Sequence, residues 1–443
     1  MAYDSFLNRI AKIPSVSAHG EVLAVRGQII EAGGLAGAAA IGDYCTVASR
    51  DGAVVPCEVV GFGEGAALLM AFTATQGLAA GAEVLFTGAK PAIYPTEAWR
   101  GRIINALGEP ADGKGPLPQG DKPYPIRRAP PSAMARGRVA GKLDLGVRSF
   151  NTFVTLCRGQ RVGVFAGSGV GKSSLISMIC RHTQAQVSVL ALVGERGREA
   201  REFVEDDLGA SGMERACLVL ATSDESPLLR RQSAYTATAL AEYFRDLGQD
   251  ALLMMDSLTR FAMAAREIGL SAGEPPASKG YPPSVFSELP RLLERAGPGE
   301  NGVGSITGIY TVLVEGDDLT EPIADATRSI LDGHLVLSRA IAERGRFPAI
   351  DVLKSISRML PGANTKEQNA LLTRARGLMA TYDDMRELIR LGAYKAGSSA
   401  EVDEAIAYHP KLEAFLAQSK TERADLETGY KMLATALDMT YGG

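Results

Sequence analysis

Residues 161–179 read RVGVFAGSGVGKSSLISMI. The apolar run 162–166 predicts a buried strand. Gly167, Ser168, Gly169, Val170 and Gly171 make a glycine-rich turn, and Lys172, Ser173 and Ser174 follow it. Leu175, Ile176 and Ile179 then carry the apolar spacing of a helix start. The order is strand, phosphate loop, helix. Glycines let several backbone N–H groups point into one concavity, and the helix adds the positive end of its dipole. In such a loop Lys172 reaches the β- and γ-phosphates of a nucleotide, and the Ser173 hydroxyl ligates Mg²⁺. Ala166 stands where the pattern has its first glycine, but Gly167, Gly169 and Gly171 are close enough for the loop to form.

The bulk properties set limits. A chain of 443 residues exceeds a single core, so two or three domains are expected. With 47 basic and 51 acidic residues the net charge is −4, which argues against a dominant nucleic-acid surface. No apolar run reaches 18 residues, so no spanning helix is expected, and the N-terminus lacks the form of a signal peptide. Cys45, Cys57, Cys157, Cys180 and Cys217 are scattered without a CxxC pair, as befits a reducing, cytoplasmic location.

Read in order, the chain changes character three times. Phe6, Leu7, Ile10 and Ile13 fall at helical spacing; such a helix either docks on a partner or membrane surface or packs on its own domain. Between Gly20 and Gly88, short runs with partial alternation predict strands of a small antiparallel barrel. Its aromatics are few (Tyr44, Phe62, Phe72, Phe86) and its positive charge small, so it reads as an assembly domain rather than an oligonucleotide binder. The segment 101–142 is too rich in proline and glycine for long helices or inner strands, and is expected to wrap over the core. Beyond the phosphate loop, apolar runs at 186–195, 216–223, 251–257, 304–314 and 333–338 alternate with helical stretches at 199–208, 233–247, 257–268 and 284–296. That alternation predicts an α/β core with a mostly parallel sheet covered on both faces, its functional residues at the carboxyl ends of the strands. After Pro361 the periodicity is wholly helical. The expected division is an N-terminal barrel with a short leading helix (1–92), a nucleotide-binding core (93–360) and a C-terminal helical domain (361–443).

Three further residues suit nucleotide chemistry. Asp256 ends the apolar run ALLMMD, and in a phosphate-loop enzyme that strand is expected beside the loop, its acid serving the metal. Glu195 ends the preceding apolar run, where a carboxylate can orient the attacking water and take its proton. Its neighbours Arg196, Arg198, Glu199, Arg201 and Glu202 are expected to form surface pairs. Arg358 lies far beyond the loop in sequence; spacing alone leaves open its own site, a neighbour's, or a structural ion pair.

Long strings carry a resemblance: AGSGVGKS, VGERGREAREFVEDDLG, DSLTRFAMAAREIGL, AGEPPASKGYPPSVFSELPRLLERAG, YTVLVEGDD and EPIADATRSILDGHLVLSRAIAERGRFPAIDVLKSISR. Together they resemble the hexameric ATPases of type III protein secretion, the flagellar export ATPase and its injectisome relatives. Those are in turn relatives of the catalytic subunits of rotary ATP synthases. The family's loop itself begins with Ala, matching Ala166.

The resemblance implies a RecA-like core, ATP and Mg²⁺ as ligands, and roles by position. Lys172 and Ser173 bind phosphate and metal, Asp256 is the second acid of the metal site, and Glu195 is the catalytic glutamate. Arg196 and Arg260 resemble arginines that line the site beside the phosphates. Arg358 matches an arginine finger that enters the neighbouring subunit's site, and Phe347 sits where an aromatic ring packs on adenine. The resemblance further implies a homohexamer at the inner-membrane export apparatus. Its partners would be a stator-like regulatory protein, a coiled-coil central stalk, the membrane export gate and chaperone–substrate complexes, with no nucleic acid. The strings KGYPPSVF and GPGENGVGSIT favour flagellar over injectisome service. A ring RNA translocase and a rotary synthase subunit are the rival readings.

Overall fold

The computed structural model of the chain describes residues 17–35, 37–86, 88, 90–314, 316 and 318–442. The helix expected around Phe6–Ile13 lies outside the described residues.

Six strands form a closed barrel: β1 (Ala18–Arg26), β2 (Ile29–Gly33), β3 (Tyr44–Ala48), β4 (Val54–Gly63), β5 (Ala66–Ala71) and β6 (Glu83–Phe86). Their order around it is β1-β2-β5-β4-β3-β6. Alternation explains the closure: Val22, Ile30, Ala32, Val47, Val55, Val59, Leu69 and Val84 point inward and build its core. Phe72 and Phe86 are buried and Tyr44 packs on Phe72, so Phe62 is the exposed aromatic among the four.

The core sheet is built from β7 (Ile103–Asn105), β8 (Arg161–Ala166), β9 (Val187–Glu195), β10 (Ala216–Thr222), β11 (Asp250–Asp256), β12 (Ser305–Leu313), β13 (Gly333–Leu337) and β14 (Ile350–Ser357). Their order is β14-β13-β8-β12-β11-β9-β10-β7. Neighbours run parallel except β13 and β14. Strands β8, β9, β11 and β12 are apolar almost throughout because helices cover both faces. One face packs on α1 (Lys172–His182), α2 (Gly197–Glu202) and the C-terminal helices, the other on α3 (Pro227–Asp246), α4 (Leu258–Ser271) and α5 (Pro283–Leu293).

The Asp256 strand ends beside the phosphate loop, where Asp256 meets Lys172. The two strands are not neighbours in the sheet: β12 runs between them, pairing Val164 with Thr311 and Met255 with Tyr310. Strand β12 follows both in sequence and inserts between them, a crossover that linear spacing does not reveal.

The segment 101–142 lies along the core, contributing Leu117, Tyr124 and Ile126 to it. Its one contribution to the main sheet, β7, takes the edge, where proline-rich neighbours are tolerated. Helix α3 begins six residues earlier than expected: Ser226 caps it, its hydroxyl accepting from the Leu229 N–H, and Pro227 opens its first turn. At the C-terminal end α7 (Lys366–Arg390), α8 (Ala400–Leu416) and α9 (Leu426–Ala436) pack together, with α6 (Pro322–Ile330) preceding β13. Thr365 and Gln368 form a reciprocal capping box that fixes where α7 starts. No helix among the described residues is long and apolar enough to cross a membrane.

Candidate active site

The phosphate loop leaves β8 at Ala166 and enters α1 at Lys172. Gly169 and Gly171 have φ of +77° and +91°, a conformation that glycine adopts without a Cβ clash. Gly171 is the N-cap of α1 and no side chain caps that end, so the first-turn amides face the loop's concavity as an anion site. Val170 is buried and anchors the loop, whereas Ser168, Gly169 and Ser173 are exposed. The Ser174 carbonyl accepts from the Ser177 hydroxyl at 2.9 Å. Phe347 lies over the end of the loop: a Cβ on Gly171 would stand 3.3 Å from its ring. The ring is 45% exposed, which leaves it surface for a flat ligand.

Lys172 gathers the acids. Its Nζ donates to Asp256 Oδ1 and lies 3.7 Å from Glu195 Oε1. Thr311 of β12 donates its hydroxyl to the same Asp256 oxygen at 2.8 Å. Arg260, in the first turn of α4, holds the other side of Glu195: Nη2 is 3.2 Å from Oε2, and Nη1 donates to the Gly194 carbonyl oxygen. Both acidic residues are buried. Burial pushes the Glu195 carboxyl above the ordinary glutamate value and the Asp256 charge pushes it further, while Lys172 and Arg260 pull it back. A carboxylate tuned upward in this way is a better proton acceptor than a solvated one.

The structure thus brings together Lys172, Glu195, Asp256 and Arg260, with Phe347 over the loop. It does not bring in Arg196 or Arg358. Arg196 stands at the rim, 74% exposed and paired with Glu199 at 3.1 Å, as Arg198 and Arg201 pair with Glu202 and Glu205. Arg358 follows β14, whose Ser357 pairs with Gly333 at the start of β13. The phosphate loop follows the other end of β8, where Ala166 pairs with Leu337. About five residues of strand separate them, ~16 Å. Arg358 is exposed, and among the described residues its side chain has no hydrogen bond or ion pair. It lines a cleft of about 310 Å³ with Asp325, Arg328, His334 and Ile356.

Two contributors were not legible beforehand. Thr311 is one of two buried threonines in β12, with Thr307, and the strand's sequence alone does not say which of them faces the site. Arg339 donates to the Ser168 carbonyl at 3.3 Å from beyond β13, and its spacing gives no hint of that.

The residues suit a nucleoside polyphosphate with a hard cation. The amide nest and the Lys172 ammonium answer phosphate charge, and Asp256 with Ser173 offers oxygen donors of the kind Mg²⁺ takes alongside its waters. Nitrogen and sulfur ligands are lacking among the described residues of this cluster, which disfavours a softer metal.

Comparison with known proteins agrees along the whole length. Residues 22–88 match the beta-barrel domain of the ATP synthase alpha/beta family, residues 146–357 its nucleotide-binding domain, and residues 364–435 the T3SS EscN ATPase C-terminal domain. The flagellum-specific ATP synthase of Caulobacter vibrioides is 53% identical over 442 residues, covering 99% of this chain and 100% of that one. The assembled ATPase EscN from the type III secretion system of enteropathogenic E. coli superposes with a TM-score of 0.88 at 41% identity, over 94% of this chain and 100% of that one. The same ATPase in complex with its central stalk EscO superposes with a TM-score of 0.86 at 40% identity, with the same coverage.

Proposed function

The chain belongs to the family of ATPases that serve flagellar and type III secretion systems, and from that premise we propose that it hydrolyses ATP with Mg²⁺ as a homohexameric ring and energises protein export through the flagellar apparatus. It is an ATPase by family. The observation that carries the finer reading is the split of the charged groups: Lys172, Glu195 and Asp256 converge, while Arg358 stands exposed at the far end of the same sheet.

In this reading the loop amides and Lys172 hold the β- and γ-phosphates. Glu195, held by Arg260, aims a water at the γ-phosphorus and accepts its proton as the new P–O bond forms and the bond to the β-phosphate oxygen breaks. Ser173 and Asp256 would hold Mg²⁺, which when bound offsets phosphate charge. Arg358 of one copy enters the site of the next and stabilises the charge developing on the γ-phosphoryl group, a contribution of about 10³–10⁵ in rate where such fingers are measured. Phe347 stacks on adenine. Arg196, at the rim, would leave Glu199 and turn toward the phosphates.

The barrel would hold the ring at one end. EscN was solved in complex with a central stalk, EscO, and here the C-terminal helices would meet such a stalk; the end of α7 exposes Leu388 and Leu391 for the contact. A regulatory stator-like protein, the export gate and chaperone–substrate complexes complete the proposed set of partners, in the cytoplasm at the inner membrane. The flagellar choice is supported by the flagellum-specific relative at 53% identity against 46% for the type 3 secretion system ATPase of Xanthomonas euvesicatoria. Removing the chain from its host tests it. Loss of external filaments with other secretion intact supports the flagellar reading, and intact filaments refute it.

A further inference from the structure

The segment 223–231 links the active site to the seam between barrel and core. Its start is tied to the site. The Ser223 N–H donates to the Glu195 carbonyl oxygen at 2.9 Å, and Thr222 pairs with Glu195 across the sheet. Its end is tied to the barrel. Ser226 donates its hydroxyl to the Phe72 carbonyl oxygen, just beyond β5, at 2.8 Å. Arg231 pairs with Glu58 of β4 at 2.7 Å, both side chains almost wholly buried. Leu228 and Ile268 of the core pack with Ile29, Met70 and Phe72 of the barrel.

Arg230 sits between these ties. Its Nη2 pairs with Glu267 Oε2 at 2.7 Å, and its Nε donates to the Glu225 carbonyl oxygen at 3.1 Å. The other Glu267 oxygen accepts from Gln28 Nε2 of the barrel at 3.0 Å. With its head so anchored, the Arg230 stem lies against Gly194. A Cβ there would stand 3.4 Å from Arg230 Cδ and 3.2 Å from Arg260 Cδ. Gly194 has a φ of +68°. The Gly194–Glu195 peptide is therefore packed against two arginine stems, one of which is linked through Glu267 to the barrel.

We propose that Arg230 is a positioning residue for hydrolysis, holding the Gly194–Glu195 peptide and Arg260 in place and coupling the seating of the barrel to the aim of the Glu195 carboxylate. The proposal rests on the reading of Glu195 as the group that activates water. Arg230 touches none of the reacting atoms; it acts through Gly194, where displacements on the scale of an ångström are costly to a near-attack geometry.

The test is steady-state ATP hydrolysis by the full-length protein, with melting curves confirming that each variant is folded. Arg230→Ala is expected to lower kcat about tenfold while KM for ATP stays within about twofold, because aim and not binding is lost. Arg230→Lys, which keeps the stem and a charge for Glu267, is expected to recover at least half of wild-type kcat. Gln28→Ala, on the exposed barrel side, is expected to lower kcat two- to threefold and to add no further loss to Arg230→Ala, as members of one linked path do. Should Arg230→Ala not fold, the lysine and Gln28 variants decide alone. Wild-type kcat in Arg230→Ala, a change confined to KM, or full additivity with Gln28→Ala overturns the proposal. Glu195→Gln is measured alongside: if it is inactive while Arg230→Ala turns over normally, only the positioning role fails, whereas an active Glu195→Gln removes the reading beneath it.

Discussion

The Lys172 ammonium lies 3.7 Å from the Glu195 carboxylate although the strands that deliver them, β8 and β9, are separated in the sheet by β12 and β11. The lysine spans that gap along the carboxyl ends of the strands and meets Asp256 on the way. A single ammonium thus reaches two buried acids from two strands, with Arg260 on the far side of Glu195. Lys172→Ala is expected to reduce ATP turnover by at least about 10²–10³, the usual loss when a pre-organised electrostatic partner is removed. Phosphate release over a range of ATP concentrations checks this, and near-normal kcat would remove the loop lysine from the mechanism.

The raised Glu195 carboxyl makes two predictions of opposite sign. As a base it must be ionised, so kcat/KM falls on the acid side at a pH above the ordinary glutamate value of about 4.3. Arg260→Met removes a group that pulls the carboxyl down, and the acid limb then moves to higher pH. For stability the sign reverses. An acid whose folded pKa is raised favours the folded state below its unfolded value and loses that contribution as pH rises through the folded one. Glu195→Gln is therefore expected to melt at or above the wild-type temperature near neutral pH while being inactive, which paired melting curves and rate assays would show.

Asp112 behaves in the opposite way. It accepts from Arg102 Nε at 2.7 Å and Nη2 at 2.9 Å, and from the Ile103 N–H at 3.1 Å. The Arg102 hydrogen bonds hold its carboxyl well below the usual range. Its contribution is present above the unfolded value of about 3.9 and is lost as pH falls through the depressed one. Asp112→Asn is expected to destabilise by about 1.5–3 kcal/mol, as for a hydrogen bond to a charged group. Faster amide exchange at Ile103–Asn105 would locate the effect at the sheet edge.

Phe347 offers a ring face and no polar atom. Phe347→Ala is expected to raise KM for ATP about tenfold with kcat nearly unchanged, from stacking worth about 1–3 kcal/mol. Phe347→Tyr keeps the face and is expected to behave as wild type. A kcat loss with unchanged KM in the alanine variant would assign the ring to packing instead.

Much of this was legible in local pattern. The loop at 161–179, the strand-ending acids Glu195 and Asp256, and the barrel's alternation each depend on neighbours in sequence. What stayed hidden depends on sheet order. Strand β12 separates the two halves of the site, and only that placement brings Thr311 to Asp256. Strand β14 gives no polarity alternation, because its buried positions include Ser355 and Ser357 while Ile356 is exposed beside Lys354. Arg230 is one of two adjacent arginines, and its partners Glu267 and Gln28 lie on other elements.

The central claim is that the site is completed by a neighbouring copy. The most direct measurement mixes two inactive variants, Glu195→Gln and Arg358→Ala, and follows ATP hydrolysis in rings shown to contain both. Some interfaces then pair a native Glu195 with a native Arg358, and activity is expected to return to a substantial fraction of wild type. Mixed rings that remain as inactive as either parent would contradict a site shared between copies.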